Sequence, residues 1–144
     1  QIMFLFGAGF SIAKAFGATG LADAVASYLL VMTDLPPILL LLAVASLITF
    51  TTEITSNTAL ISIMLPVIYA VSEQAGINTT LFMMVATVCA SYAFMLPIAT
   101  APNAIAMASG AVHVSNMIRY GIILNLVGIA FIVIIAQFFW KTIL

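Results

Sequence analysis

Charged residues are scarce in this chain: three of its 144 residues are Lys or Arg and four are Asp or Glu, together 5%. A soluble domain carries roughly 25% charged residues, so this sequence cannot form a water-exposed surface of that kind. The net charge of −1 offers no basic surface to the phosphates of a nucleic acid, and we expect no nucleic-acid partner. With 65% hydrophobic residues, the composition predicts an integral membrane protein embedded in a lipid bilayer.

Cysteine and histidine are each present once, as Cys89 and His113. A single cysteine cannot form an internal disulfide, and one residue of each type provides no cluster for a soft metal. We interpret Cys89 as a packed small residue and His113 as a loop residue rather than a proton relay. Ser109 precedes His113 by four positions, but Gly110 is expected to end the helix between them and no third partner is evident. We therefore predict that the chain is not an enzyme.

Continuous apolar runs make up most of the chain. The strands of a membrane barrel alternate apolar and polar residues, whereas these runs are unbroken and predict an all-α fold. At roughly 20 residues per crossing, the length allows about four or five membrane segments. The first residue already lies inside an apolar run, which favours a piece of a longer protein.

The runs and their boundaries predict four parts. A helix end and a short apolar or interfacial helix occupy 1–35, and a re-entrant helical hairpin occupies 36–75. A broken transmembrane helix follows over 79–111, and a C-terminal transmembrane helix covers 116–144.

Two short polar breaks interrupt the apolar runs: Thr-Ser-Asn-Thr at 55–58 and Ala-Thr-Ala-Pro-Asn at 99–103. A bilayer core holds no water for loose backbone groups, so irregular backbone survives there only inside protein or along a cavity. Each break is followed by a helix-like run, a pattern typical of the substrate site of a secondary transporter. Ser, Thr and Asn also form ordinary hydrogen bonds between membrane helices, but two breaks so close together favour a binding site.

The first break divides a segment that begins at Pro36 and Pro37, which mark a helix boundary. If both ends of this segment lie on one side of the membrane, its two arms form a re-entrant hairpin with the tip near the midplane. A single crossing with an unwound centre would use nearly twice the roughly 20 residues that a bilayer requires. The hairpin is therefore favoured.

Beyond the hairpin, the pattern predicts an apolar helix over 80–96, a short continuation over 104–110 and a final crossing over 117–140. Asn57 and Asn103 each come just before a helical run. Their side-chain oxygens are suited to accept bonds from the first free amides, so we expect them at the N-caps.

The breaks offer two kinds of chemistry. Helix N-termini with free amides attract a carboxylate, and no Lys or Arg lies near either break to do so instead. Hard oxygen donors that suit Na⁺ are also present, from the side chains or main chain of Thr52, Thr55, Ser56, Asn57 and Ala99. The residues alone leave both possibilities open.

Glu53 is the only acidic residue deep in an apolar segment. Charged residues within membrane segments are candidates for function by default. Three possibilities are open for Glu53: it caps or braces the hairpin tip, it is held protonated, or it binds an ion directly. We favour the structural role.

Three segments carry a resemblance to a known family. They are Leu-Phe-Gly-Ala-Gly-Phe-Ser-Ile-Ala-Lys at 5–14, Thr-Glu-Ile-Thr-Ser-Asn-Thr at 52–58 and Ala-Phe-Met-Leu-Pro-Ile-Ala-Thr-Ala-Pro-Asn-Ala-Ile at 93–105. In this order and spacing they resemble the divalent anion/sodium symporter family, the sodium-coupled di- and tricarboxylate transporters. The resemblance runs through nearly the whole chain and corresponds to the C-terminal half of such a transporter.

The resemblance implies sodium-coupled symport of dicarboxylates, succinate-like C4 anions, across the cell (inner) membrane. It implies one half of an inverted-repeat, elevator-type fold that works as a homodimer, with the matching N-terminal half outside this chain. The substrate carboxylate is expected to touch Ser56, Asn57, Thr58 and Thr100. A sodium ion, Na⁺, is expected among Thr52, Thr55, Asn57 and Ala99.

Two details refine this expectation. The family commonly has Thr-Pro-Pro-Asn where this chain has Thr-Ala-Pro-Asn at 100–103, and the missing proline is expected to loosen the unwound segment. Thr58 stands where citrate-preferring relatives carry an apolar residue, which favours C4 dicarboxylates. A proton-coupled or other anion permease of related architecture remains an alternative. A passive anion channel is another, although it would need a continuous polar stripe.

Overall fold

The computed structural model of the chain describes residues 35–140 continuously, together with residues 11, 14–15, 18–20, 24, 27–28 and 31. Most of the helices predicted over 1–35, and the last four residues, lie outside the described part. All regular secondary structure in the described part is helical, which confirms the predicted all-α class.

Helices α1 (Pro37–Thr52) and α2 (Asn57–Gln74) form the two arms on either side of the first break. Pro37 occupies the first turn of α1, where its missing N–H and fixed φ are compatible with a helix. Gly76 has a φ of +64° and ends α2, which lets the amide of Ile77 donate to the carbonyl of Ser72 at 3.0 Å. A re-entrant path of this pair through a membrane stays a prediction.

Helix α3 (Thr79–Cys89) begins at Asn78, whose side chain accepts a bond from the amide of Leu81 at 3.1 Å. It ends seven residues before the predicted end at 96. The reason is that the amides of residues 94–96 donate to a side chain from the first break rather than to helix carbonyls. Helix α4 (Ala101–Ala108) begins three residues earlier than predicted.

Helix α5 (Val114–Ile135) begins three residues before the predicted start of the last crossing and continues into a π-helical turn, Ala136–Trp140. Within the described residues, one segment is long and apolar enough to cross a bilayer: Val114–Phe138, 25 residues that include an 18-residue stretch with a mean hydropathy of 2.5. Helices α1 and α3 are apolar but shorter.

The core lies where α1, α2, α3 and α5 pack together, with α3 against α1, α2 and α5. Each helix contributes one stripe of apolar residues at spacings of three or four, the period that places side chains on one helical face. Large buried members of this core are Leu40, Val44, Ile48, Leu60, Met64, Ile68, Phe82, Val85 and Ile129. Helix α4 has no buried residue and lies beside this core.

Candidate functional site

At the first break, the non-helical backbone between α1 and α2 is a turn of four residues, 53–56. In the structure, the first break refers to this turn together with the first residues of α2. Ser56 is the N-cap of α2, with φ −71° and ψ 128°, and its side chain makes no capping hydrogen bond. The expectation that Asn57 caps this helix is wrong, since Asn57 is already the first helical residue. Its side chain is therefore available for contacts outside the helix end.

The second break is longer than the polar residues at 99–103 indicate, because the backbone between α3 and α4 is non-helical over residues 90–100. In the structure, the second break refers to this segment. Thr100 is the N-cap of α4, and its hydroxyl oxygen accepts from the amide of Asn103 at 3.4 Å. The expectation that Asn103 is the cap is therefore wrong as well. Nδ2 of Asn103 instead donates to the carbonyls of Ala93 and Leu96, at 2.8 and 3.0 Å. One side chain from α4 thus holds the irregular segment that leads into that helix.

The two breaks meet at a shared cavity of about 260 Å³. Both helix N-termini contribute to its lining, which consists of Ser56, Asn57, Thr58, Ala99, Thr100, Ala101 and Pro102. The four predicted substrate residues and the predicted sodium residue Ala99 therefore line the same cavity. Positions some 40 residues apart in sequence are brought together here because α1, α2 and α3 share one core.

The other two predicted sodium residues, Thr52 and Thr55, lie beneath the turn and do not line the cavity. Both are buried, with exposed fractions of 0% and 3%. The hydroxyl of Thr55 donates to the carbonyl of Thr51 at 2.9 Å. Thr52 is joined to the cavity indirectly, because its hydroxyl contacts the side chain of Asn57.

The oxygens of the four predicted sodium residues are neutral hydroxyl, amide and main-chain groups. Such hard oxygens are the ligands that alkali cations take at unwound helices. Within the described part of the chain, no group of three His, Cys, Asp or Glu residues is placed to hold another metal.

Glu53 lies in the first break but reaches the second. Its carboxylate accepts from the main-chain amides of Phe94, Met95 and Leu96 at 2.9 to 3.1 Å. It also accepts from Nδ2 of Asn125 in α5 at 2.6 Å. The side chain is 3% exposed, so this is a buried carboxylate held by neutral donors.

Sequence reasoning missed Asn125, although a signal was present. Asn125 is the one side chain with hydrogen-bonding capacity between Tyr120 and Gln137, in an otherwise apolar helix. A polar residue at such a position normally faces the protein interior and has a specific partner. Its partner was not predictable, because the carboxylate lies 72 positions away in sequence.

These features define an integral membrane protein in which two breaks between helices meet at one cavity. The family model described as "Sodium:sulfate symporter transmembrane region" matches residues 1–144. The chain belongs to this family, which confirms the resemblance, and the family places it in the cell membrane as a multi-pass protein.

Several curated proteins are similar to the chain. The Na(+)/dicarboxylate cotransporter 3 of Rattus norvegicus is 39% identical over 129 residues, which is 90% of this chain and 22% of the relative. The Na(+)/citrate cotransporter of the same species is 36% identical, over 90% of the chain and 23% of the relative. The sodium-dependent dicarboxylate transporter SdcS of Staphylococcus saprophyticus is 34% identical, over 95% and 26%. The chain thus spans about a quarter of the length of these relatives.

Proposed function

We propose that this chain forms part of a sodium-coupled symporter that carries dicarboxylates, with succinate-like C4 anions as substrates. The observation that carries the proposal is the cavity at which the two breaks meet. All the residues that line it are neutral, so an anion there would be held by amides and hydroxyls. Sodium would supply the positive charge that the site itself lacks.

The anion would bind at the helix N-termini. The first amides of α2 have no carbonyl partner within the helix, and the positive ends of the α2 and α4 dipoles both lie at the cavity. The hydroxyl of Thr100 accepts a bond from Asn103, which leaves its proton for a carboxylate oxygen. Ser56, Asn57 and Thr58 would complete the contacts from the hairpin tip.

Sodium would bind behind the anion, among Thr52, Thr55, Asn57 and Ala99. Asn57 belongs to both sets, because its side chain lines the cavity and contacts the buried Thr52. Sodium binding would therefore orient the group that meets the anion and would add positive charge beside it. This gives the order of events: sodium binds first, and the dicarboxylate binds well only afterwards.

The names of the relatives support the choice of ion and substrate, since they specify sodium with dicarboxylate or citrate. We infer that the remainder of the transporter includes a second, inverted copy of this half and that the whole works as a homodimer. The hairpin formed by α1 and α2 would be re-entrant, and the substrate-binding part would move across the membrane as in an elevator.

The test is uptake of labelled succinate by the full-length transporter in proteoliposomes, with an inward gradient of either Na⁺ or K⁺. An Asn57→Ala variant is measured in parallel, with Asn116→Ala as the matched control because Asn116 is exposed at the start of α5. We expect uptake that requires Na⁺, is lost in Asn57→Ala and is retained in Asn116→Ala.

Unlabelled sulfate and citrate are added as competitors, because the family description names sulfate and one relative is named for citrate. Weak competition by both is expected for a C4-selective site. Uptake that is indifferent to Na⁺ would refute sodium coupling, and strong inhibition by sulfate alone would refute the dicarboxylate assignment.

A further inference from the structure

Glu53 is the one described acidic side chain buried beside the cavity, yet it is not among the residues that line it. Its Oε1 accepts from the amides of Phe94 and Met95, both at 2.9 Å, and from Asn125 at 2.6 Å. Its Oε2 accepts from the amides of Met95 and Leu96 at 3.1 and 2.9 Å. Four contacts with main-chain amides thus fix residues 94–96 to this one side chain.

The three residues that Glu53 holds lead directly to the cavity. Leu96 lies three positions before Ala99, and its carbonyl accepts both from the amide of Ala99 at 3.2 Å and from Asn103. The segment is thus attached to Glu53 through its amides and to α4 through its carbonyls. Any shift of the carboxylate would be transmitted to the oxygens that Ala99 and Thr100 present.

Helix α5 packs directly against residues 94–95 of this segment. Gly121 lies one turn before Asn125, and a Cβ at Gly121 would be 2.5 Å from the carbonyl oxygen of Phe94 and 2.6 Å from Cα of Met95. The irregular backbone therefore rests directly on the helix backbone. Asn125 then fixes the carboxylate from the same helix face.

Asn125 is fully buried, and its Oδ1 has no hydrogen-bond partner in the described part of the chain. A buried, unsatisfied oxygen is unfavourable, so an apolar residue would pack better here if packing were the only requirement. The bond that Nδ2 donates to Glu53 is the one interaction that accounts for an amide at this position.

We propose that Glu53 and Asn125 are positioning residues. They hold residues 94–96 in the place that keeps Ala99 and Thr100 next to the hairpin tip, and they thereby set the sodium affinity of the site. This inference rests on the proposed function. Neither residue touches the ion or the anion; both act through the backbone of residues 94–96.

The test measures succinate uptake by the full-length transporter in proteoliposomes, at varied Na⁺ and at varied succinate. Glu53→Gln replaces one acceptor oxygen with an NH₂ group that faces main-chain donors. We expect the half-saturating Na⁺ concentration to rise about tenfold, the scale seen when groups behind metal ligands are lost. Glu73→Gln is the matched control, since Glu73 is exposed and accepts from the Thr79 hydroxyl, and it should leave sodium affinity unchanged.

A purely structural role predicts a different pattern. Less folded protein would lower the maximal rate, while the half-saturating concentrations of Na⁺ and succinate would stay at the wild-type values. That result for Glu53→Gln would overturn the inference. If the wild-type protein itself shows no dependence on Na⁺, it is the proposed function that fails.

A second pair of variants keeps the test decisive if Glu53→Gln folds poorly. Asn125→Asp places a second carboxylate against Glu53, and we expect it to weaken sodium binding strongly. Glu53→Gln combined with Asn125→Asp lets the new amide at position 53 donate to the new carboxylate at position 125. Sodium affinity should then be higher than in Asn125→Asp but below wild type, because the amide at position 53 has a single acceptor oxygen for three main-chain amides. A double variant no better than the worse single variant would refute the pairing.

Discussion

The hydroxyl of Thr52 lies 2.5 Å from Oδ1 of Asn57 and 2.9 Å from the carbonyl oxygen of Ala90. A hydroxyl carries one proton, so Thr52 donates to one of these two oxygens at a time, and the contact with Asn57 is the shorter. An amide oxygen has two lone pairs, so Oδ1 of Asn57 keeps one for a cation. Thr52 thus connects the end of α1, the start of α2 and the segment after α3.

Thr52→Val is expected to weaken sodium binding. The substitution keeps the branched shape and removes the hydroxyl, which leaves the buried carbonyl of Ala90 and the amide of Asn57 without their partner. We expect the half-saturating Na⁺ concentration for succinate uptake to rise by about tenfold or more. The comparison is Thr87→Val, because the hydroxyl of Thr87 is exposed and bonds within its own helix to Met83. Equal sodium affinities in the two variants would contradict the role given to Thr52.

Asn103→Ala should lower the free energy of unfolding of the protein, and not only the affinity of the site for its ligands. The Asn103 side chain bridges the carbonyls of Ala93 and Leu96, and its loss removes both bonds from an irregular segment. The carbonyl of Leu96 keeps its bond from the amide of Ala99, whereas that of Ala93 loses its partner. Leaving such an acceptor unpaired costs about 1–3 kcal/mol, which should appear as a lower midpoint of thermal unfolding in detergent. Asn103→Asp should be worse than Asn103→Ala, because a carboxylate would then face two carbonyl oxygens. A variant with aspartate as stable as wild type would show that the bridge is unimportant.

The parts of the site that were predictable from sequence are those encoded by local composition. The polar letters at 55–58 and 99–103 stand out against apolar surroundings, and the structure brings them to one cavity. Helix ends were less predictable. The run over 80–96 is mostly apolar, and nothing local reveals that a distant carboxylate takes the amides that follow α3, which ends at Cys89.

The choice of cap residues failed for a related reason. Asn57 and Asn103 are good N-cap residues by type, but both side chains are used in longer-range contacts, to Thr52 and to the carbonyls of Ala93 and Leu96. Ser56 and Thr100 take the cap positions instead. At these two positions, tertiary hydrogen bonds override the local preference of asparagine for the N-cap.

Gly121→Ala and Gly128→Ala form a matched pair on one face of α5. A Cβ at Gly121 would meet backbone atoms of Phe94 and Met95 at 2.5 to 2.7 Å, so the irregular segment would have to move. A Cβ at Gly128 would meet the ring of Tyr92 at 2.9 Å, and a side chain can rotate away. Overpacking costs about 1–3 kcal/mol, and we expect that loss of unfolding free energy, with reduced sodium affinity, for Gly121→Ala. Gly128→Ala should be milder in both measurements, and the reverse order would contradict the close seating of the segment on α5.

Ala101→Pro tests whether the amide at the start of α4 takes part in binding. Ala101 is the first helical residue, where proline is favourable because its amide has no carbonyl partner in the helix. Thr100 before it is extended, with φ −142° and ψ 155°, as a residue preceding proline prefers. We therefore expect unchanged or higher stability, by about 0.4–1 kcal/mol, since proline restricts the unfolded chain. Thermal unfolding in detergent measures this, and a lower midpoint would refute the assigned geometry.

The half-saturating succinate concentration of Ala101→Pro should stay at the wild-type value if the Ser56, Asn57 and Thr100 side chains carry the anion. A large increase without loss of stability would instead identify the Ala101 amide as a direct ligand of the carboxylate.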